Sequence, residues 1–235
     1  MHTSVIIPAA GTGKRFNTNV PKQFTLLDGI PILIHTLKLF NDNPNIHSII
    51  IAASQEQFEL IESLIISYAI DKVKHIVAGG SERHLSVQAA LETPTAKEAD
   101  VILVHDAVRP FASNELIVAI INYAIEFGAA IPVVSPKDTI KQLSKNNTVL
   151  STLNRSELGA AQTPQGFRRE VIMNAYQFAH VHSLVTTDDS SVVELSGGIV
   201  HTIDGEENNI KITTQLDFVL AQTIVQNLSK HSISE

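Results

Sequence analysis

The first apolar run of the chain leads into Pro8-Ala9-Ala10-Gly11-Thr12-Gly13-Lys14-Arg15, with Lys22 a little downstream after Pro21. Small residues let a backbone pass close to phosphate oxygens, and successive free N–H groups then cradle the anion. Arg15 and Lys22 would add fixed positive charge where a triphosphate needs it most. Two common glycine loops fit poorly. A dinucleotide fingerprint wants a third glycine where Phe16 stands, and a P-loop wants a longer glycine spacing with Ser or Thr after its lysine, where Arg15 stands. A plain strand-to-helix turn rich in small residues is the alternative for this segment taken alone.

Two further segments have the composition of ligand loops. Gly79-Gly80-Ser81-Glu82-Arg83-His84-Leu85-Ser86 follows an apolar strand pattern, which puts it at a carboxyl end of a sheet, the edge where open α/β folds bind ligands. Taken alone, the segment is better explained as a capped loop. In Val104-His105-Asp106-Ala107-Val108-Arg109-Pro110 an apolar strand runs into an acid, and a base follows. A carboxylate there, beside a triphosphate, is suited to holding Mg²⁺, a hard cation that prefers oxygen ligands. The competing reading has Asp106 capping a turn and pairing with Arg109. Less distinctive are Asp138-Thr139, Arg155, Thr163-Pro164-Gln165, Thr187-Asp188-Asp189-Ser190 and Asn209-Ile210-Lys211. Paired acids such as Asp188-Asp189 more often cap a helix than perform chemistry. The sequence has no His-Glu-x-x-His and no Gly-x-Ser-x-Gly, and the His180-Val181-His182 pair has no acidic neighbour to suggest a metal site.

These loops need a scaffold, and the apolar pattern supplies one. Short β-branched runs at 5–7, 48–52, 75–78 and 101–104 read as buried parallel strands. Helical periodicity lies between and after them at 32–40, 55–68, 85–91 and 114–127, the last with Ser113 as N-cap and Gly128 as terminator. A final helix from about Gln215 to Leu228 starts at Thr214, with Asp217 at capping-box-like spacing. Alternating strands and helices imply a doubly wound, mostly parallel α/β sheet. The stretch 136–163 breaks the rhythm. Two alternating strands around Ser144-Lys145-Asn146-Asn147 make a hairpin with little apolar mass of its own, an arm that predicts a homodimer.

With 235 residues, 44 % apolar and 17 % charged, the chain has the balance of one packed domain, 1–235, carrying the 136–163 arm. A net charge of -7 offers no bulk attraction to nucleic acid or an anionic membrane, so phosphate binding must rely on a local pocket. The absence of cysteine excludes disulfides, thiolate chemistry and Cys-based zinc sites, and fits a reducing cytosol. The run that stops at Pro8 is too brief for a secretory core or a membrane span, so the expectation is a cytoplasmic protein.

Taken together and in order, Pro8-Ala9-Ala10-Gly11, Gly79-Gly80, His105-Asp106-Ala107-x-Arg109-Pro110, Asp138-Thr139, Thr163-Pro164-Gln165 and Asn209-Ile210-Lys211 closely resemble the 2-C-methyl-D-erythritol 4-phosphate cytidylyltransferases of non-mevalonate isoprenoid biosynthesis. The resemblance runs nearly end to end. It implies a Rossmann-like nucleotidyltransferase fold, dimeric through an extended arm, that transfers a cytidylyl group from CTP to the polyol phosphate and releases pyrophosphate. By the same resemblance Pro8, Ala9, Ala10, Gly11, Thr12 and Gly13 wrap the triphosphate, while Arg15, Lys22 and Lys211 supply catalytic charge. Gly80, Ser81, Arg83 and Ser86 meet the nucleotide at its base, and Asp106, with Ala107 beside it, helps hold Mg²⁺. Arg109, Thr139, Arg155, Thr163 and Thr187 meet the polyol phosphate, with Thr139 and Arg155 delivered on the neighbouring subunit's arm. In one departure, family members often carry Asp where this chain has Ser81. Either backbone contacts recognise the exocyclic amine of the base here, or base selectivity loses a side-chain contact.

Three other readings compete. Ribitol-5-phosphate cytidylyltransferases are similar but tend to begin with Ala-Gly-Gly rather than Pro8-Ala9-Ala10-Gly11. A non-catalytic nucleotide-sensing module would have lost at least one of Arg15, Lys22, Asp106 and Lys211. A dinucleotide-dependent oxidoreductase is opposed by Phe16.

Overall fold

The computed structural model describes residues 1–11, 21–184 and 186–231, with side chains through 228. In chain order its elements are β1 (Thr3–Pro8), β2 (Leu26–Leu27), β3 (Ile30–Pro31), α1 (Ile32–Asn41), β4 (Ser48–Ala53), α2 (Phe58–Ser67), β5 (Val73–Ala78), α3 (Arg83–Leu91), α4 (Pro94–Glu98) and β6 (Val101–Val104). There follow α5 (Asn114–Phe127), β7 (Ala129–Val134), β8 (Lys141–Leu143), β9 (Val149–Thr152), β10 (Ala160–Ala161), β11 (Gln165–Arg168), α6 (Arg169–Val181), α7 (Asp189–Leu195), β12 (His201–Asp204) and α8 (Gln215–His231).

Strand side chains alternate between two cores. Val5 and Ile7 of β1, Ile49 and Ile51 of β4 and Leu103 of β6 point to one face, where α1, α2 and α5 cover them through Leu37, Phe40, Ile61 and Ile120. Ile6, Ile50, Ile102 and Val104 point to the other, under α3, α6 and α7 through Val87, Ile172 and Val193. A strand buried on both faces needs apolar residues at every position, which is why these segments read as continuous runs rather than as alternating ones. The order β5-β4-β1-β6 is parallel throughout, so the carboxyl ends of β1, β5 and β6 share one edge. β11 then lies antiparallel between β6 and β7, and β12 runs parallel to β7 on the far side.

The α/β fold with a mostly parallel sheet is as the alternation implied, and the four expected strands and five expected helices are present. Ser113 Oγ accepts from Leu116 N–H at 3.0 Å, and Gly128 ends α5 at φ 93°, a left-handed conformation that costs glycine nothing. Asp217 Oδ2 accepts from the N–H groups of Thr213 and Thr214 at the start of α8, as the capping spacing predicts. The apolar pattern did not reveal β7, β11, α6 and β12. Phe167 of β11 is a fully buried aromatic on a strand of only four residues, too short for periodicity to register. β8 and β9 form the hairpin within the 136–163 stretch, with Asn147 at φ 59° in its turn and Leu143, Val149 and Leu150 exposed. Among the described residues no helix is long and apolar enough to cross a membrane.

A third, smaller cluster joins Leu27, Ile32, Val108, Ile212 and Ala221, and so fastens the base of α8 to the loop after β6. Ile212 N–H donates to the Val108 carbonyl at 3.0 Å, which sets Lys211 beside the Asp106–Arg109 turn.

Phe167 joins the inserted antiparallel strand to the α3–α6 core, so Phe167→Ala is expected to lower the unfolding free energy by about 3–5 kcal/mol, read from the shift of the urea midpoint at unchanged slope.

Candidate active site

A cavity of about 350 Å³ opens at the carboxyl edge of the sheet. Pro8, Ala9, Ala10 and Gly11 line it together with Gly80, Ser81, Arg83 and Ser86. Asp106, Ala107, Lys22 and Lys211 also line the cavity. Segments separated by most of the chain thus converge where their strands end, as parallel topology requires. Thr12, Gly13 and Arg15 lie outside the described residues.

The two small-residue loops are shaped from behind. Gln23 is 2 % exposed, and its side-chain amide donates to the carbonyls of Ala9 at 2.7 Å and Gly11 at 3.3 Å. Engaging those carbonyls keeps them from presenting free lone pairs to an anion in the cavity. Gly79 is a close-approach glycine: a Cβ there would stand 2.6 Å from Ala10 Cβ and 2.9 Å from Ser86 Oγ. Ser86 is buried, and its Oγ accepts from Gly80 N–H at 3.1 Å, fixing the second loop to the start of α3. Ser81 itself is exposed.

Charge in the site is organised around Asp106, which is 7 % exposed. Its Oδ1 accepts from Arg83 Nε at 3.2 Å, and its Oδ2 from Arg109 Nε at 3.1 Å and Lys211 Nζ at 3.0 Å. Burial raises the pKa of this carboxyl, but the charges of Arg83, Lys211 and Arg109 outweigh it and hold Asp106 well below the usual carboxylate range. Lys22 Nζ donates to the Ile212 carbonyl at 3.2 Å, which brings the second lysine to the same wall as Lys211. Asp106 therefore pairs with Arg109, as the turn reading expected, and it also gathers two more cations that the sequence left far apart.

The turn after β6 is fixed by neutral groups. Thr163 Oγ1 accepts from Asp106 N–H at 3.1 Å and donates to His105 Nδ1 at 3.1 Å, while His105 Nε2 donates to the Arg109 carbonyl at 2.9 Å. This pattern requires a neutral imidazole, and burial pushes the His105 pKa down to about 4. Buried Asn209 donates through Nδ2 to the Thr163 carbonyl at 2.8 Å, and its backbone carbonyl accepts from Arg109 Nη1 at 2.8 Å. Thr163 thus lies beneath the cavity with its hydroxyl already engaged.

The remaining residues expected at the polyol phosphate are elsewhere. Arg109 reaches the site through Asp106. Thr139 and Arg155 are exposed on the arm segment, where Arg155 Nη1 donates to the Lys137 carbonyl at 2.7 Å, and neither lines the cavity. Thr187 is exposed, just before the Asp188 N-cap of α7. Sequence reasoning missed Gln23, and it also missed Asp189. Asp188 caps α7 as the helix-cap reading held, but the adjacent Asp189 is fully buried and accepts from Arg83 Nη1 at 2.7 Å. The one available signal was that a cap needs a single acid, leaving the second to be explained.

His105 binds a proton in the unfolded chain at its ordinary value of 6.5, but in the folded chain only near 4. Between those values the unfolded state carries more protons, so stability must rise with pH across this window. Over pH 4 to 6.5 the unfolding free energy of the parent should climb about 3 kcal/mol more than that of a His105→Asn variant, measured by urea titrations at each pH.

A family model described as 2-C-methyl-D-erythritol 4-phosphate cytidylyltransferase matches residues 3–227. Enzymes of that name from Bacillus licheniformis and Clostridium botulinum (strain Loch Maree) are 41 % and 39 % identical to this chain. Each alignment covers 96 % of this chain, with 96 % and 98 % of the respective relative. Among solved structures, the 4-diphosphocytidyl-2C-methyl-D-erythritol synthase of Anaerococcus prevotii superposes with a TM-score of 0.83 at 32 % identity, covering 96 % of this chain and 98 % of that one. The Francisella tularensis 2-C-methyl-D-erythritol 4-phosphate cytidylyltransferase gives 0.80 at 33 %, covering 94 % and 98 %. With the small-residue loops, the Asp106 cluster and this near-complete correspondence all on one chain, the protein belongs to the 2-C-methyl-D-erythritol 4-phosphate cytidylyltransferase family.

Proposed function

We propose that the cavity between the Pro8–Gly11 and Gly80–Ser86 loops is where this enzyme joins CTP to 2-C-methyl-D-erythritol 4-phosphate in the cytoplasm. The observation that carries the reading is the gathering of Arg83, Arg109 and Lys211 on Asp106 at a cavity that Lys22 also lines. A polyphosphate is the ligand such a concentration of cations suits, and the chain as a whole is acidic, so the attraction is local to this pocket.

In the reaction a phosphate oxygen of the polyol phosphate attacks the α-phosphorus of CTP in line. A new P–O bond forms as the bond to the bridging oxygen of the β-phosphate breaks, and pyrophosphate leaves with that electron pair. The nucleophile is already ionised near neutral pH, so no general base is required, and none of the side chains at Asp106 is free to act as one. Catalysis then rests on positioning and charge. Lys22 and Lys211, with Arg15 by the family resemblance, stabilise the extra negative charge of the transition state, and by the same resemblance the Ala9–Gly13 segment holds the triphosphate as its pyrophosphate departs. Ser86 and Gly80 border the base pocket, where backbone groups beside Ser81 read the cytosine.

Among the described residues there is no cluster of three His, Cys, Asp or Glu side chains, so a cage built wholly from protein is excluded there. Mg²⁺ fits a different arrangement, with one or two carboxylates and the remaining ligands from phosphate and water. Asp106 is the residue that would hold it, and bound there it would offset phosphate charge. By the family resemblance Arg109 and Thr187 meet the polyol phosphate, with Thr163 holding the turn that carries Asp106. Thr139 and Arg155, on the 136–163 arm, reach the site of a second subunit in a homodimer. The exposed Leu143, Val149, Leu150 and Leu153 give that arm an apolar surface to bury on such a partner.

Lys211→Ala should lower kcat/KM for CTP about a hundredfold, measured by pyrophosphate release with CTP, Mg²⁺ and 2-C-methyl-D-erythritol 4-phosphate; undiminished turnover, or turnover of ribitol 5-phosphate alone, would overturn the reading. Leu150→Glu is expected to shift the protein to monomer in size-exclusion chromatography with light scattering and to reduce turnover with it, since charge on an apolar contact is costly to bury.

A further inference from the structure

Asp189 is fully buried at the start of α7, behind the cavity and absent from its lining. Its two oxygens are both taken. Oδ2 accepts from Arg83 Nη1 at 2.7 Å, and Oδ1 from the Tyr176 hydroxyl at 2.7 Å. Arg83 then reaches forward with Nε to Asp106 Oδ1 at 3.2 Å. We infer that Asp189 and Tyr176 are positioning residues for cytidylyl transfer, acting through a buried relay, Tyr176 to Asp189 to Arg83 to Asp106, that sets how Asp106 presents its charge to the site. The inference rests on the reading of the cavity as the cytidylyl-transfer site.

The geometry of Arg83 supports the relay. A guanidinium beside one carboxylate favours the bidentate fork, two parallel N–H donors on the two oxygens. Here the fork is split between two carboxylates, and Asp106 receives Nε alone. Oδ2 of Asp106 is thereby left to Arg109 and Lys211. Were Asp189 uncharged, Arg83 would be drawn onto both oxygens of Asp106 and would compete with Lys211, one of the lysines expected to supply catalytic charge. Among the described residues the buried Arg83 Nη2 finds no hydrogen-bond partner, as expected of an orientation imposed by the two carboxylates rather than chosen to satisfy the guanidinium.

Asp189 is itself held on several sides. Tyr176, on α6, is 5 % exposed and packs in the same core as Val192 and Val193 of α7. Asp188 caps α7 with a reciprocal capping box to Ser191, and Gln165 of β11 donates to Asp188 Oδ2 at 2.8 Å and accepts from Ser190 N–H at 2.9 Å. The inserted strand, α6 and α7 are thereby fastened to one another, and Asp189 links them to Asp106 through Arg83. A pair that merely fastened α7 to α3 would contribute to stability and leave the rate alone, and this sets the test.

Steady-state kinetics with CTP and 2-C-methyl-D-erythritol 4-phosphate, together with thermal melting, should be measured for Tyr176→Phe, Asp189→Asn and the double variant. Tyr176→Phe keeps the ring and removes only the hydroxyl. It should lower kcat about fivefold with the KM for CTP within about twofold; Asp189→Asn should lower kcat about 30-fold, and the double variant should be no slower than Asp189→Asn alone. Parental kcat in Tyr176→Phe, whatever its melting temperature, overturns the inference, as do losses that multiply in the double variant. Should Asp189→Asn not fold, Tyr176→Phe decides alone: reduced kcat at parental KM supports the relay, and parental kcat removes it. A parent enzyme that releases no pyrophosphate from these substrates removes both the reading and the relay, whereas an active parent with an unaffected Tyr176→Phe removes only the relay.

Discussion

A single nearly buried carboxylate, Asp106, holds the site together. Taking a carboxylate out of water costs several kcal/mol unless opposite charge and hydrogen bonds replace the lost solvent, and here three cations do so. Each arrives from a different part of the chain. Arg83 opens α3, Arg109 closes the turn after β6, and Lys211 precedes the segment that leads into α8. The arrangement can exist only if α3, β6 and the base of α8 are held in register, so the small cluster of Leu27, Ile32, Val108, Ile212 and Ala221 bears directly on the chemistry. Even with Asp189 also paired to Arg83, the cluster sets three cations against two carboxylates, and an excess of positive charge suits the triphosphate of the proposed reaction.

Around this charged centre the supporting groups are mostly neutral. Gln23 holds the carbonyls of the first loop, Ser86 the second, and Thr163, His105 and Asn209 the turn that carries Asp106. Satisfying buried backbone groups with amides, hydroxyls and a neutral imidazole fixes geometry without adding charge that would compete for the phosphates. The burial that keeps His105 neutral therefore serves the site as well as the fold: a protonated ring could not accept from Thr163, and it would add a positive charge beneath Arg109.

Much of the scaffold was legible because it obeys local rules. Apolar runs at β1, β4, β5 and β6 mark strands covered on both faces, and Ser113 and Gly128 bracket α5 where short-range capping chemistry places them. The loops that line the cavity were legible for the same reason, since a parallel sheet sends the residues after each strand to one edge. β11 was not, because four residues carry too little periodicity and its place between β6 and β7 is a pairing choice made across the sheet. The hairpin of β8 and β9 was visible from its alternation and its Asn-rich turn, although nothing in its own sequence says which surface it meets.

The sequence by itself determined the fold class, the cavity's walls and the identity of Lys22, Asp106 and Lys211 as the residues to watch, because strand burial, loop composition and motif order are properties of neighbouring residues. Only the tertiary structure decided the partners. Arg83 and Asp189 are 106 positions apart, and nothing local distinguishes Asp189, fully buried against a guanidinium, from Asp188, the helix cap beside it. Capping is settled within one turn of helix, whereas an ion pair between distant elements depends on where the packed core carries each of them.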